Sequence, residues 1–250
     1  MTRFVATLEY DGGPFVGWQR QDNGLSVQQC VEDAVFKFCG EAVLVQGAGR
    51  TDAGVHAWGQ VAHFDLVKPV DAFRVQEALN FHLKPQPIAV VACVEAPPAA
   101  AGAEFHARFS ATKRVYRYRI VNRRAPLAIE RGRAWQVAAP LDADAMYAAA
   151  KYLLGQHDFS SFRAAECRAT SPVKTLDVLS VSRYGDELVV AAEARSFLHH
   201  QVRNMVGTLK AVGEGKLAPQ ALEKILKAKD RSAAGITAPA EGLYLVRVEY

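Results

Sequence analysis

The chain has 250 residues, 50% hydrophobic and 22% charged, with a net charge of +4; this is ordinary for a globular protein and long enough for one large domain or two small ones. No charged-then-apolar leader opens it, and its most apolar stretch, "PIAVVACVEAPPAAAGA", is broken by Glu95, Pro97, Pro98 and Gly102, so a membrane span is excluded and a cytoplasmic protein is expected. Cys30, Cys39, Cys93 and Cys167 form no C-x-x-C pair, which favours reduced, mostly buried thiols over a disulfide framework or a zinc site.

In chain order, "RFVATLEYDGG" alternates and ends in a turn, as a strand does. "SVQQCVEDAVFKFCG" places Val27, Val31, Ala34, Val35 and Phe38 at helical spacing between a capping Ser26 and a terminating Gly40. "AVLVQGAG" and "GQVAHFDL" read as two strands, "DAFRVQEALNFHL" as a short helix capped by Asp71, and "PIAVVACVEA" as a buried strand. The second half repeats the order. "KRVYRYRIV" is a strand, "LDADAMYAAAKYLLGQ" a helix capped by Asp142, and "VKTLDVLSVSRYG" and "DELVVAAEAR" pair across Tyr184-Gly185-Asp186. "FLHHQVRNMVGTLKAVGEG" is a helix with Val202, Met205, Val206, Leu209 and Val212 on one face, and "GLYLVRVEY" closes as a strand. The expected fold is α+β, two ferredoxin-like βαββαβ halves with a central antiparallel sheet, divided as 1–103 and 104–250, with the Pro/Ala-rich stretch 96–103 as the connection.

The charge is uneven. From Arg108 to Arg133 there are nine basic residues and one acid, Glu130, net +8, so the remainder nets −4. A mildly acidic body with one basic segment, interleaved with tyrosines, suggests a nucleic-acid site over a merely solvated strand.

"GAGRTDAGVHA", residues 47–57, sets a choice among a phosphate cradle, a structural turn and a catalytic loop. The Walker pattern requires a lysine and a following helix, and the dinucleotide fingerprint requires a shorter gap before its third glycine. A turn needs only the positive φ angles of Gly47, Gly49 and Gly54. A catalytic loop would use Asp52, held ionised by a neighbouring cation, as a nucleophile toward a sugar carbon or an electron-poor ring. With no second carboxylate nearby in sequence, a single nucleophile suits it better than a glycosidase pair.

"GAGRTDAGVHAWGQVAHF" resembles the catalytic signature of the tRNA pseudouridine synthase A (TruA) family. "LEYDGGPFVGWQRQ", "SVQ", "FHARFSATKRVYRYRI", "LLGQHDFSSFR", "FLHHQVRNMVGTL" and "AEGLYLVRVEY" are similar to that family's segments in the same order, covering nearly the whole chain. The resemblance implies isomerisation of uridine to pseudouridine at positions 38–40 of the tRNA anticodon stem-loop, in an RNA-binding cleft between the halves. It implies Asp52 as nucleophile, with attack at C6, attack at C1′ and formation of a glycal all open as routes. No cofactor and no metal are implied, since the reaction is a rearrangement. The target base must leave its stack, and Tyr116 is the expected stacking partner, while Tyr118 is expected in the core. Arg50 is expected to bond Asp52 or hold the flipped nucleotide through its phosphate. Arg203 is expected to pair with the catalytic carboxylate, with His199 and His200 on its helix face, and Leu243 to approach the uracil. Arg108, Lys113, Arg114 and the segment to 124 are expected to contact phosphates, setting affinity without reading sequence. The partner is tRNA, and the resemblance implies a homodimer. His56, His63 and His106 are read as structural. The rival from another class is a non-catalytic RNA-binding protein, such as a tRNA-folding chaperone, which would not need Asp52; a nuclease would want a carboxylate cluster or a histidine pair.

Overall fold

The structure, a computed structural model, describes residues 1–97 and 104–250. Most of the connection expected at 96–103, and the 103/104 boundary with it, lies outside the described residues. The chain forms two compact units, Met1–Thr112 completed by Leu245–Tyr250, and Lys113–Tyr244. Residues 104–112 and 245–250 thus belong with the first unit.

In the first unit, β1 (Thr2–Tyr10) buries alternate residues Phe4, Ala6, Leu8 and Tyr10, the period of a one-sided strand. Helix α1 (Val27–Cys39) starts where Ser26 accepts the Gln29 N–H and ends at Gly40, whose left-handed backbone has φ +78°. Its Val27, Val31, Ala34 and Val35 are buried, whereas Phe38 is only half-buried and carries Lys68 over its ring at 4.9 Å. The strand expected over "AVLVQGAG" shrinks to β2 (Gln46–Gly47). The reason lies in α1: the Val45 N–H donates to Glu32 Oε1 (3.2 Å) and its carbonyl accepts from Gln28 Nε2 (3.0 Å), so helix side chains replace a strand ladder there. β3 (His56–Leu66) pairs antiparallel with both β1 and β2. Helix α2 (Ala72–His82), capped by Asp71 on the Arg74 N–H, leads to β4 (Ile88–Glu95), antiparallel to β1. β4 is not the fully buried strand expected: it is the edge strand of the order β4-β1-β3, and its Val91 and Val94 are exposed while Ile88, Val90 and Cys93 are covered.

His63 on β3 is a buried structural histidine, as expected. Its Nδ1 accepts the Ala107 N–H at 3.2 Å, and its ring meets His106 edge-on at 4.6 Å between centroids. Burial first, then the His106 and Arg3 charges, pull its pKa from 6.5 to about 4, with Asp65 opposing. The unfolded chain therefore binds more protons than the folded one between those values, so this histidine's contribution to stability is present above pH 6.5 and lost as pH falls toward 4. His63→Gln, which keeps an acceptor for Ala107, is expected to flatten the acid limb of stability in urea titrations between pH 6.5 and 4; parallel limbs for variant and wild type would refute this.

In the second unit, β5 (Lys113–Val121) runs parallel to β6 (Trp135–Gln136) and antiparallel to β9 (Glu187–Ala194). Between them in sequence come α3 (Ala143–Ala150), capped by Asp142 and followed by a 3-10 turn, then β7 (Gly155–Asp158) and β8 (Val173–Tyr184). β7 pairs antiparallel with β8 and β8 with β9, giving the order β5-β9-β8-β7. The β8–β9 hairpin turns at Gly185-Asp186 with Tyr184 opposite Glu187, as read from the sequence. Tyr118 is fully buried, edge-on to Trp135, with its hydroxyl donating to the Pro239 carbonyl at 2.7 Å.

Helix α4 (Gln201–Gly213) buries Val202, Met205, Val206, Leu209 and Val212 as expected, yet it starts later than "FLHHQ" suggested. His200 sits at φ +61°, and Gln201 Oε1 accepts the Leu198 N–H at 2.8 Å, so residues 198–200 form a turn before the helix. His199 and His200 therefore do not share a helical face with Arg203. Helix α5 (Ala221–Ala228), which the sequence reading did not anticipate, buries Leu222, Ile225 and Leu226 at i, i+3, i+4. Buried Asn204 on α4 accepts from Arg231 and Thr237 and donates to the Phe162 carbonyl, stapling the 231–237 segment to the helix. β10 (Leu243–Glu249) begins in the second unit and ends in the first, where it lies beside β3.

The fold is thus mixed, with mostly antiparallel strand pairing and few helices. All four cysteines are free thiols, and Cys30, Cys93 and Cys167 are buried. Among the described residues no helix is long and apolar enough to cross a membrane.

Candidate active site

Residues 48–55 form a turn between β2 and β3, with no helix following, which removes the phosphate-loop reading. The turn is held from beneath by the segment "LEYDGGPFVGWQRQ". The Trp18 N–H donates to the Thr51 carbonyl at 3.0 Å, and the Tyr10 hydroxyl meets Thr51 Oγ1 at 2.8 Å. Gln60 Nε2 donates to the Gly49 carbonyl at 2.7 Å, and the Val55 N–H closes onto the Asp52 carbonyl at 3.1 Å. Two glycines permit this packing by close backbone approach. A Cβ on Gly12 would lie 2.0 Å from the Val55 carbonyl oxygen, and one on Gly17 would lie 2.7 Å from that of Thr51.

Asp52 is half-buried, between buried Thr51 and exposed Ala53. Its position is therefore set by backbone that is bonded and packed on both sides, the support a nucleophile needs to face a substrate with little reorganisation. Tyr10, fully buried under the turn, has its phenol pushed up to about 12 by burial, against the hydrogen bonds to Thr51 and Gln60. It stays neutral at physiological pH and serves as a hydrogen-bonding strut. Arg50, exposed on the same turn, donates Nε to Gln19 Oε1 at 3.1 Å.

Arg108 is exposed in the first unit, its guanidinium 5.6 Å from the Phe109 ring centroid. The neighbouring loop is ordered by His106, whose Nδ1 accepts the Arg108 N–H at 3.1 Å and whose Nε2 lies 3.0 Å from Gln46 Oε1.

In the second unit, Tyr116 is 8% exposed on β5, edge-on to Phe197 at 5.2 Å. Arg203 on α4 donates Nε to the Ala238 carbonyl at 2.8 Å. Leu243 opens β10 after the 3-10 turn Ala240–Gly242, and Tyr244 donates its hydroxyl to the Arg133 carbonyl at 2.6 Å. The basic segment does not present its charges uniformly. Arg119 pairs with Glu187 (2.6 Å) and Glu130 (2.8 Å), Lys113 pairs with Glu193 (3.2 Å), and buried Arg114 donates to the Arg195 carbonyl at 2.6 Å. Arg117, Arg123, Arg124, Arg131 and Arg133 are exposed.

Sequence reasoning assigned Asp52 and Arg50 to the turn but gave no role to Tyr10, Gly12, Gly17, Trp18, Gln19 or Gln60, which build its floor. The available signal was the cluster of glycine and aromatic residues at 10–18, whose partner segment only the fold supplies.

A family model described as tRNA pseudouridine synthase matches residues 6–110 and 149–250. Curated relatives include the tRNA pseudouridine synthase A of Paramagnetospirillum magneticum, 60% identical over the whole chain and 96% of the relative, and that of Rhodospirillum centenum, 60% identical over all of both chains. The enzyme of the same name from Parvibaculum lavamentivorans is 56% identical, again over all of both chains. The chain belongs to the tRNA pseudouridine synthase family.

Proposed function

We propose that the chain isomerises uridine to pseudouridine in tRNA, at positions 38–40 of the anticodon stem-loop, with Asp52 as the nucleophile. The observation that carries the reading is the intact "GRTDAG" turn, with Asp52 borne on a backbone locked by Thr51, Val55 and the glycines beneath them, in a chain of this family. In the reaction the C1′–N1 bond breaks, the uracil turns, and C5 bonds to C1′. The C5 proton leaves and N1 gains a proton, so atoms balance without a redox partner or cofactor.

A stacked uridine cannot reach a half-buried carboxylate, so the base is extruded, at a cost of a few kcal/mol that stacking and phosphate contacts offset. Tyr116 is assigned the face of the extruded uracil, Leu243 its apolar edge, and Arg50 and Arg203 the charged groups of the bound nucleotide. The order β4-β1-β3-β2 around βαββαβ in the first unit supports reading that half as ferredoxin-like, and the second half carries β5, α3, β8, β9 and α4 in the matching succession with β6, β7 and α5 added. We place the enzyme in the cytoplasm as a homodimer, by family analogy.

Exposed Arg108 is assigned to a phosphate, with Lys113 and Arg114 exchanging protein partners for RNA when they contribute. Arg108→Ala is then expected to weaken tRNA binding uniformly across tRNAs and to reduce the slope of log Kd against log salt by about one. An unchanged slope in filter-binding titrations would remove Arg108 from the phosphate contacts.

The activity itself is tested by tritium release from tRNA labelled at uridine C5. Release from an unmodified anticodon arm is expected. Folded protein that binds tRNA without releasing tritium would instead support the non-catalytic chaperone.

A further inference from the structure

A polar chain runs from the core of the first unit to Arg50, and we infer that Gln28 and Glu32 on α1 are positioning residues for that arginine, acting through Gln19. The inference rests on the proposed role of Arg50 at the bound nucleotide. Gln28 is 4% exposed and Glu32 8%. Gln28 Nε2 contacts Glu32 Oε1 at 3.0 Å and the Val45 carbonyl at 3.0 Å. Gln28 Oε1 receives the Arg20 N–H at 2.9 Å and Gln19 Nε2 at 2.7 Å. Gln19 Oε1 then receives Arg50 Nε at 3.1 Å. Glu32 is anchored in turn by the Val45 N–H at 3.2 Å and by Arg20 Nη1 at 3.0 Å.

The chemistry of the groups allows this chain one direction only. The carboxylate of Glu32 and the Val45 carbonyl accept and cannot donate, so the Gln28 amide must turn its NH2 toward them. The Arg20 N–H donates and cannot accept, so it must meet the Gln28 oxygen. That oxygen faces Gln19, which therefore offers its own NH2 inward and its carbonyl outward. The carbonyl is the end a guanidinium can use. A reversed Gln19 would set donor against donor and release Arg50. A buried charge on α1 thus dictates which end of a surface amide meets the arginine two residues before the nucleophile. A long side chain held this way arrives pre-oriented for a nucleotide.

The test compares Gln19→Met, Gln28→Leu, Gln19→Glu and Arg50→Ala with wild type in single-turnover tritium release at saturating enzyme. It also measures tRNA affinity, melting temperature and the proton exchange of the Arg50 Nε–H in NMR spectra. Gln19→Met and Gln28→Leu are expected to slow the reaction roughly ten- to a hundredfold, with tRNA affinity unchanged and faster exchange at Arg50. Gln19→Glu keeps an acceptor for Arg50 but loses the donor to Gln28 Oε1, and is expected to recover only part of the rate lost in Gln19→Met. Wild-type rates for Gln19→Met and Gln28→Leu alongside a slow Arg50→Ala would overturn the positioning role and leave the site intact. So would a slow Gln19→Met or Gln28→Leu whose Arg50 exchange is unchanged and whose melting temperature has fallen. A wild-type rate for Arg50→Ala would remove Arg50 from the site altogether, a separate failure. Should Gln28→Leu not fold, the half-buried Gln19→Met decides alone.

Discussion

Asp52→Asn is expected to lower the single-turnover rate of tritium release by about four orders of magnitude or more, while tRNA affinity and thermal stability stay at wild-type levels. The substitution is nearly isosteric; it removes the negative charge and turns one acceptor oxygen into an NH2 donor. The turn survives it because Asp52 is held through its backbone: its carbonyl accepts the Val55 N–H, and its neighbour Thr51 is bonded through both carbonyl and hydroxyl. An amide is too poor a nucleophile to open a route by attack at carbon, and too weak a base to remove a sugar proton, so the same loss is expected by any of the three routes. A variant rate within tenfold of wild type would dismiss Asp52 as the nucleophile. Loss of affinity and rate together would make it a binding group.

The second large effect is structural. Gly12→Ala places a methyl 2.0 Å from the Val55 carbonyl oxygen and 2.5 Å from its carbonyl carbon. Both obstacles are backbone, so no rotamer relieves the clash. Gly12 must retreat, or Val55 must, and Val55 closes the turn on Asp52. We expect a loss of about 1–3 kcal/mol of stability and, because misplacement near an ångström is enough, a rate reduction of about a hundredfold in the protein that remains folded. Urea melts and single-turnover rates measured below the transition check both numbers. A variant with wild-type stability and rate would show that the Gly12–Val55 packing does not hold the turn in place.

Elements whose instructions are local were legible from the sequence. Ser26 with Gly40, Asp71 and Asp142 cap their helices as read, because a cap depends on residues three or four positions away. The Tyr184–Glu187 hairpin is local in the same sense. What failed depended on partners distant in sequence. "AVLVQ" has strand composition, yet Gln28 and Glu32 occupy the backbone of Val45. "IAVVACV" has the composition of a central strand, yet chain order leaves it at an edge. The α4 start moved because one buried side chain, Gln201, bonds the Leu198 N–H ahead of it. The candidate site divides likewise. The motif puts Asp52 and Arg50 on one turn by adjacency, whereas the pairing of Arg119 with Glu187 and of Lys113 with Glu193 could not be read, since these partners are remote in sequence.

The first unit is not one continuous stretch of chain, and this governs the timing of its synthesis. Residues 245–250 complete it: the Thr112 N–H donates to the Glu249 carbonyl at 2.8 Å, and the Tyr250 hydroxyl donates to the Ala107 carbonyl at 2.9 Å. During synthesis Asp52 is made long before β10, and β3, the strand that follows it, is covered on that side only by short β2 until β10 has been made. A nascent chain that stops short of β10 therefore carries Asp52 in an unfinished unit, which is completed only once residues 245–250 have been made.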